Sequence, residues 1–276
     1  MSAFVRLQKV LPQHLISRAV GGLAASESWI RGPLIRTFAR VYGIDMADAE
    51  RSELASYRSF NDFFTRSLAP DARPIDPASG SIVSPADGVV SQTGVIEHGQ
   101  ILQAKGIRYS FSELADVCAS STFDGGAFAT IYLSPSDYHR VHLPLAGRLM
   151  RTVAIPGKLF SVNATTEAGI EGLFAVNERL VCEFETEHGR MLVILVGAMI
   201  VASIETVWNG PTSPYKGKQV TEHDIEFQTG DEIGRFLLGS SVVLTFERDR
   251  AQFDAELATG TVLRMGQKIG TSSTQA

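Results

Sequence analysis

Two histidines sit three residues apart in the run Ser134-Pro135-Ser136-Asp137-Tyr138-His139-Arg140-Val141-His142-Leu143-Pro144. Imidazole is the side chain best suited to moving protons near neutral pH. Ser134 can cap a helix and Pro135 suits its first position, so the spacing predicts a short helical turn. In that turn His139 and His142 share a face; in an extended chain they point to opposite sides. The HxxH spacing also fits a metal, but no third ligand lies nearby and Arg140 between the histidines repels a cation, so no metal is expected. A carboxylate that could orient an imidazole stands in Ser84-Pro85-Ala86-Asp87-Gly88. Asp-Gly at a strand edge is also an ordinary turn. The fourth group is Leu238-Gly239-Ser240-Ser241, just before an apolar run. Alone it is a turn entering a strand. Gly-Ser also permits an N→O acyl shift, because glycine has no Cβ to keep the hydroxyl from the preceding carbonyl. Phe160-Ser161-Val162-Asn163 is a further pocket-lining candidate.

These residues need a frame. Residues 1–68 read as helical, with Leu34, Ile35, Phe38, Val41 and Tyr42 on one stripe and Arg36 and Arg40 turned away. That stripe either packs on the core or touches a membrane. Ser59 with Asp62 starts a turn carrying Phe60, Phe63 and Phe64. Pro70, Pro74 and Pro77 then break the pattern. Short apolar runs follow at 82–83, 88–90, 127–133, 180–184, 191–204 and 241–246, separated by polar turns, as in an antiparallel β core. The fold class is therefore α+β: N-terminal helices, then a mostly antiparallel β core. The expected division is 1–68 as a helical, membrane-associating region and 69–276 as a β-rich catalytic domain. The tail from Gly270 is expected to be disordered.

The chain has 276 residues, enough to bury a core without disulfides or metal. Cys118 and Cys182 lack CxxC spacing and read as reduced core residues. Residues 1–40 hold six basic side chains against Glu27, a net +5, within a chain of net −5. An acidic body gives no nucleic-acid footprint, whereas a basic, apolar-studded N-terminus suits an anionic membrane surface. The apolar stretch over 191–204 is too short to span a bilayer and reads as two buried strands or one bent one. No signal-peptide core is visible. A peripheral protein on the cytoplasmic side of the cell membrane is the simplest picture.

Taken together, Pro85-Ala86-Asp87-Gly88, the run over 137–144, Phe160-Ser161-Val162-Asn163, the stretch over 194–208 and Leu238-Gly239-Ser240-Ser241 resemble, in order, the motifs of the bacterial-type phosphatidylserine decarboxylases. Ser59 to Phe64 and Ile101 to Gly106 add to the likeness, which runs from about residue 10 to about residue 246. Ser241 stands where that family more usually has threonine.

The resemblance implies a self-cleaving proenzyme, cut between Gly239 and Ser240 into chains 1–239 and 240–276. Asp87, His142 and Ser240 would form the charge relay for cleavage. Ser240 would become a covalent pyruvoyl group, the cofactor and Schiff-base site for phosphatidylserine, which loses carbon dioxide to give phosphatidylethanolamine. His139 would transfer a proton in that second reaction. The implied partners are phosphatidylserine in the membrane, the two chains of one precursor, and a second copy in a homodimer. A serine hydrolase would use similar residues but keep the chain whole, and Ser240 lacks the GxSxG elbow. A non-catalytic β-rich binding domain would show no cleavage.

Overall fold

The N-terminal third is laid down by helices that are amphipathic but poorly capped. The computed structural model describes residues 3–199, 204–210, 214–237 and 240–273. Helices α1 (Ala3–Val10), α2 (Gln13–Ala25) and α3 (Arg31–Tyr42) are followed by the five-residue α4 (Phe60–Phe64). Gly43 ends α3 in the left-handed conformation, at φ 60°. Ser59 opens α4 as expected: its hydroxyl accepts the Asp62 N–H at 3.1 Å. The Asp62 carboxylate, however, pairs with Arg51.

The stripe on α3 splits. Ile35 is 1% exposed, and it packs with Leu34, Phe38, Phe60, Phe63 and Phe64 in one aromatic-rich cluster. Leu34, Ile35 and Phe38 thus face inward, and only Val41 and Tyr42 continue to solvent. The physical reason is α4, whose three phenylalanines need a partner face. The outward apolar side chains lie elsewhere: Leu7 and Val10 on α1, Leu15 on α2, and Trp29, 83% exposed, before α3. α1 and α2 dock on the rest of the molecule through polar contacts. Gln8 bonds Thr166 and the Ser161 N–H, and Gln13 Oε1 accepts the Leu159 N–H.

Sixteen strands follow among the described residues. They are β1 (Ser81–Val83), β2 (Gly88–Val95), β3 (Gln100–Leu102), β4 (Arg108–Ser110), β5 (Gly126–Leu133), β6 (Arg140–His142), β7 (Gly147–Ile155), β8 (Arg179–Thr186), β9 (Gly189–Val196), β10 (Ile204–Thr206), β11 (Gln219–Phe227), β12 (Glu232–Phe236), β13 (Ser240–Arg248), β14 (Ala251–Phe253), β15 (Val262–Leu263) and β16 (Lys268–Ser272). Eight make one antiparallel sheet in the order β11-β7-β8-β9-β13-β5-β2-β15. Two three-stranded sheets, β10-β12-β6 and β1-β16-β14, flank it.

Both faces of the large sheet are covered. Val242, Leu244 and Phe246 point into one apolar cluster with Leu195 and Ile131, while Val243 points into the other with Ile194 and Val181. Strands buried on both faces need apolar residues at every position, which is why the runs over 180–184, 191–196 and 241–246 stood out in the sequence. The run over 191–204 is two strands, β9 and β10. The tail is not disordered from Gly270: β16 runs through Ser272, paired with β1 and β14. Its short, glycine-containing sequence gives no hint of the two partners that order it. Cys118 and Cys182 are free and buried, as expected.

Candidate active site

The turn over 134–137 is the hub. It is not helical. The Asp137 N–H reaches the Ser134 carbonyl at 3.0 Å, and the Asp137 carboxylate folds back to the Ser134 N–H at 2.6 Å. That carboxylate closes the turn on itself, and β6 begins at Arg140. The expected helical turn is therefore corrected to an extended chain, and the two histidines are held by different surroundings.

His139 is buried. Its ring lies 4.0 Å from that of Phe64, and its Nδ1 donates to the Asp137 carbonyl at 2.8 Å. With that proton on Nδ1, Nε2 carries the lone pair, and Nε2 is buried with no hydrogen-bond partner. Burial, with the nearby Arg66 charge, pulls the ring's pKa down to about 3. His139 is a neutral imidazole with an open acceptor.

His142 is already engaged. Its Nδ1 donates to the Gly230 carbonyl at 2.7 Å, and its Nε2 accepts the Tyr138 hydroxyl at 2.9 Å. Burial lowers its pKa too. Its backbone N–H donates to the Pro85 carbonyl, which sets β6 against the loop that carries Asp87. Gly88 lets that loop approach β5: a Cβ there would stand 2.5 Å from the Tyr132 carbonyl oxygen.

Asp87 is taken by other donors. Arg73 grips it through Nε and Nη2, the latter at 2.6 Å, and the Met265 N–H donates to it at 2.8 Å. Arg73 also pairs with Asp48. Asp87 is close enough for its charge to act on His142, yet among the described residues no hydrogen bond joins them. The structure brings Asp87, Tyr138 and His142 into one neighbourhood without assembling them into a relay.

Ser240 is the first residue of β13, the strand between β9 and β5, in register with Leu133. Its hydroxyl is buried and has no partner among the described residues. Gly239 lies outside the described residues. The chain enters this point from Phe236, whose N–H bonds the His139 carbonyl. Phe236 is thus fixed on His139 and Ser240 on Leu133, the residues that flank the hub turn.

Phe160-Ser161-Val162-Asn163 does something else. Asn163 caps a short helix, α6 in chain order after α5 (Phe111–Ala115), at Ala164–Glu167. Phe160 lines a groove of about 220 Å³ with His14 and Lys158, where α2 docks. This motif positions the N-terminal helices.

Residue-by-residue reading missed three participants. Tyr138 holds His142, Arg73 holds Asp87, and Arg66 approaches His139 from the segment after α4. Arg140, between the histidines, bonds the Thr65 carbonyl, Ser67 and Glu232, and so fixes that segment against the hub. The one available signal was an arginine two residues after a run of phenylalanines.

Comparison with known proteins places this geometry. The sequence model described as phosphatidylserine decarboxylase matches residues 60–271. The chain belongs to that family. A second model, described as PSD, matches residues 3–43. The phosphatidylserine decarboxylase proenzyme of Azotobacter vinelandii is 51% identical over 280 residues, covering 98% of each chain. That of Acinetobacter baylyi is 49% identical, over 98% of this chain and 95% of its own. The one from Ectopseudomonas mendocina is 50% identical over 97% of both. The family match begins at α4 and ends within β16, so it takes in Phe64, Arg66, both histidines and Ser240.

Proposed function

We propose that this chain is the proenzyme of a phosphatidylserine decarboxylase, converting phosphatidylserine to phosphatidylethanolamine after cutting itself between Gly239 and Ser240. The observation that carries the reading is the Ser240 hydroxyl, buried and partnerless at the start of an interior strand. A buried hydroxyl left unpaired costs about 1–3 kcal/mol, and this one follows Gly239 directly and is free to act as a nucleophile.

In this reading the Ser240 hydroxyl attacks the Gly239 carbonyl. The amide C–N bond breaks and an ester forms. Loss of the Ser240 α-proton expels the Gly239 carboxylate and leaves dehydroalanine, and water then replaces the nitrogen as ammonia departs. The site suits the resulting pyruvoyl group, since losing the Ser240 hydroxyl sacrifices no side-chain hydrogen bond. Once made, that group supplies an electrophilic carbonyl and an electron sink for the lost carboxylate.

For cleavage, His142 takes the hydroxyl proton and Asp87 steadies the imidazolium. His142 must first give up Tyr138, and Asp87 must turn from Arg73. His139 then serves decarboxylation in a proton transfer at its open Nε2. A second reading has one specific observation behind it: His139 Nε2, not His142 Nε2, is the open acceptor, so His139 could take the Ser240 proton.

We also carry forward the division into 1–68 and 69–276, a homodimer, and a peripheral place on the cytoplasmic face of the cell membrane. Among the described residues no helix is long and apolar enough to cross a membrane. The exposed Leu7, Val10, Leu15 and Trp29, among the exposed Arg6, Lys9 and Arg18, support the membrane reading. The test is chain splitting: wild type should run as two chains, and Ser240→Ala as one.

A further inference from the structure

Arg66 is 5% exposed, yet among the described residues no carboxylate holds its guanidinium. Its Nη2 donates to the Ser136 carbonyl at 3.0 Å, and its Nη1 is buried without a partner. Its guanidinium carbon lies 5.7 Å from the Phe63 ring centre. Asp87, Asp137, Tyr57 and Arg73 act on it only through their charges. The Asp137 carboxylate is turned to the Ser134 N–H, and the Asp87 carboxylate to Arg73. A buried cation with an open N–H is an anion receptor waiting for its anion.

Its position says which anion. Arg66 hydrogen-bonds the same turn that hydrogen-bonds His139, and its charge acts on that imidazole. The turn follows Leu133, the register partner of Ser240. Three of the buried, partnerless polar atoms, Arg66 Nη1, His139 Nε2 and Ser240 Oγ, therefore gather about one turn. Phosphatidylserine would bring two anionic groups here, a carboxylate and a phosphodiester three bonds from the α-carbon. The carboxylate must shed its charge as carbon dioxide leaves. A cation fixed on it would stabilise the starting state more than the transition state and slow the step. The phosphodiester keeps its charge throughout, and an arginine fork matches its oxygens.

We infer that Arg66 is the receptor for the substrate's phosphodiester, and so a determinant of lipid over free amino acid. This rests on the decarboxylase reading above. It makes Arg66 a contribution of the N-terminal region to the catalytic centre, held in place by Arg140 through Thr65 and Ser67. Because the contact is equal in ground and transition states, its loss should appear in KM rather than kcat.

The test uses the full-length protein in mixed micelles with two lipids of equal acyl chains. One is phosphatidylserine; the other joins serine to the diacylglycerol by an uncharged carbonate. Chain splitting is read first on a gel. Uncut wild type that still decarboxylates would sink the pyruvoyl reading and leave the lipid preference to be judged alone. Wild type should favour the phosphodiester lipid by about 10–100-fold in kcat/KM, carried by KM. Arg66→Gln, cut to the same extent, should lose most of that preference, and Arg66→Lys should recover part of it. Equal use of both lipids by wild type would overturn the inference even if no variant folds. So would an Arg66→Gln enzyme that keeps the wild-type KM and preference.

Discussion

At the residue scale the central question is which imidazole does which job. His142 is tied to Tyr138 and Gly230, whereas His139 Nε2 is open. If His142 is the base for maturation, His142→Ala should accumulate uncut chain, since losing a general base costs about 10²–10⁴-fold. His139→Ala should cut yet turn over lipid poorly, per small chain present. Tyr138→Phe, which frees His142 Nε2, should cut at least as fast as wild type. Uncut His139→Ala beside a working His142→Ala would exchange the roles. His139 also makes a pH prediction. Its folded-state pKa is pulled from the ordinary 6.5 to about 3, so between those values the unfolded chain holds the extra proton. Stability is complete above 6.5 and is lost as pH falls toward 3. In the uncut Ser240→Ala background, His139→Gln should remove up to about 1.4 kcal/mol per pH unit from the acid-side slope. Parallel denaturant curves across pH 4–6 would show that burial does not hold His139 neutral.

At the element scale the proposed cut between Gly239 and Ser240 falls in an unusual place. It separates β13, which lies between β9 and β5, from everything before it. The small chain also carries β15, paired with β2, and β16, paired with β1. It would thus contribute an interior strand and an edge strand of the large sheet and two strands of a flanking one. Leaving would expose the Val242, Val243 and Leu244 side chains, each worth about 1.5–3 kcal/mol buried. The two chains should therefore co-elute in native gel filtration and part only in denaturant. Loss of the small chain in buffer alone would contradict this topology. Much of this architecture was legible: strands buried on both faces must be apolar throughout, and those runs were found. β11 was missed because it is a sheet edge, where Glu222, Asp224 and Glu226 face water and break the apolar run, and β7 because Arg148 and Arg151, paired with Glu185 and Glu222, interrupt its own run. The helical turn at Ser134 was misjudged because the Asp137 carboxylate closes the turn on its own backbone, a choice that composition does not reveal.

At the scale of the whole molecule, the N-terminal helices have two faces. Ile35 and Phe38 belong to the interior, where a polar substitution would cost stability. Val10 and Trp29 face outward among basic side chains. Trp29→Ala and Val10→Asn should weaken binding to anionic vesicles by roughly tenfold each, in keeping with about 1.5–3 kcal/mol per large apolar side chain, and leave the melting temperature unchanged. Undiminished sedimentation with vesicles would remove these residues from the membrane face. The site was legible as a set of residues and not as an arrangement. Asp87, His139, His142 and Ser240 were visible by type, while Arg66, Arg73 and Tyr138 act through contacts between segments distant in sequence. What unites the scales is Ser240, which the fold buries and leaves without a partner. The most direct test is the intact mass of the purified protein under denaturing conditions. The account predicts two chains, the smaller beginning at position 240, lighter by one ammonia than the same chain begun by serine, and shifted by borohydride, with Ser240→Ala a single chain. A wild-type protein that is full length and still decarboxylates phosphatidylserine, or a small chain that begins with intact serine, would contradict it.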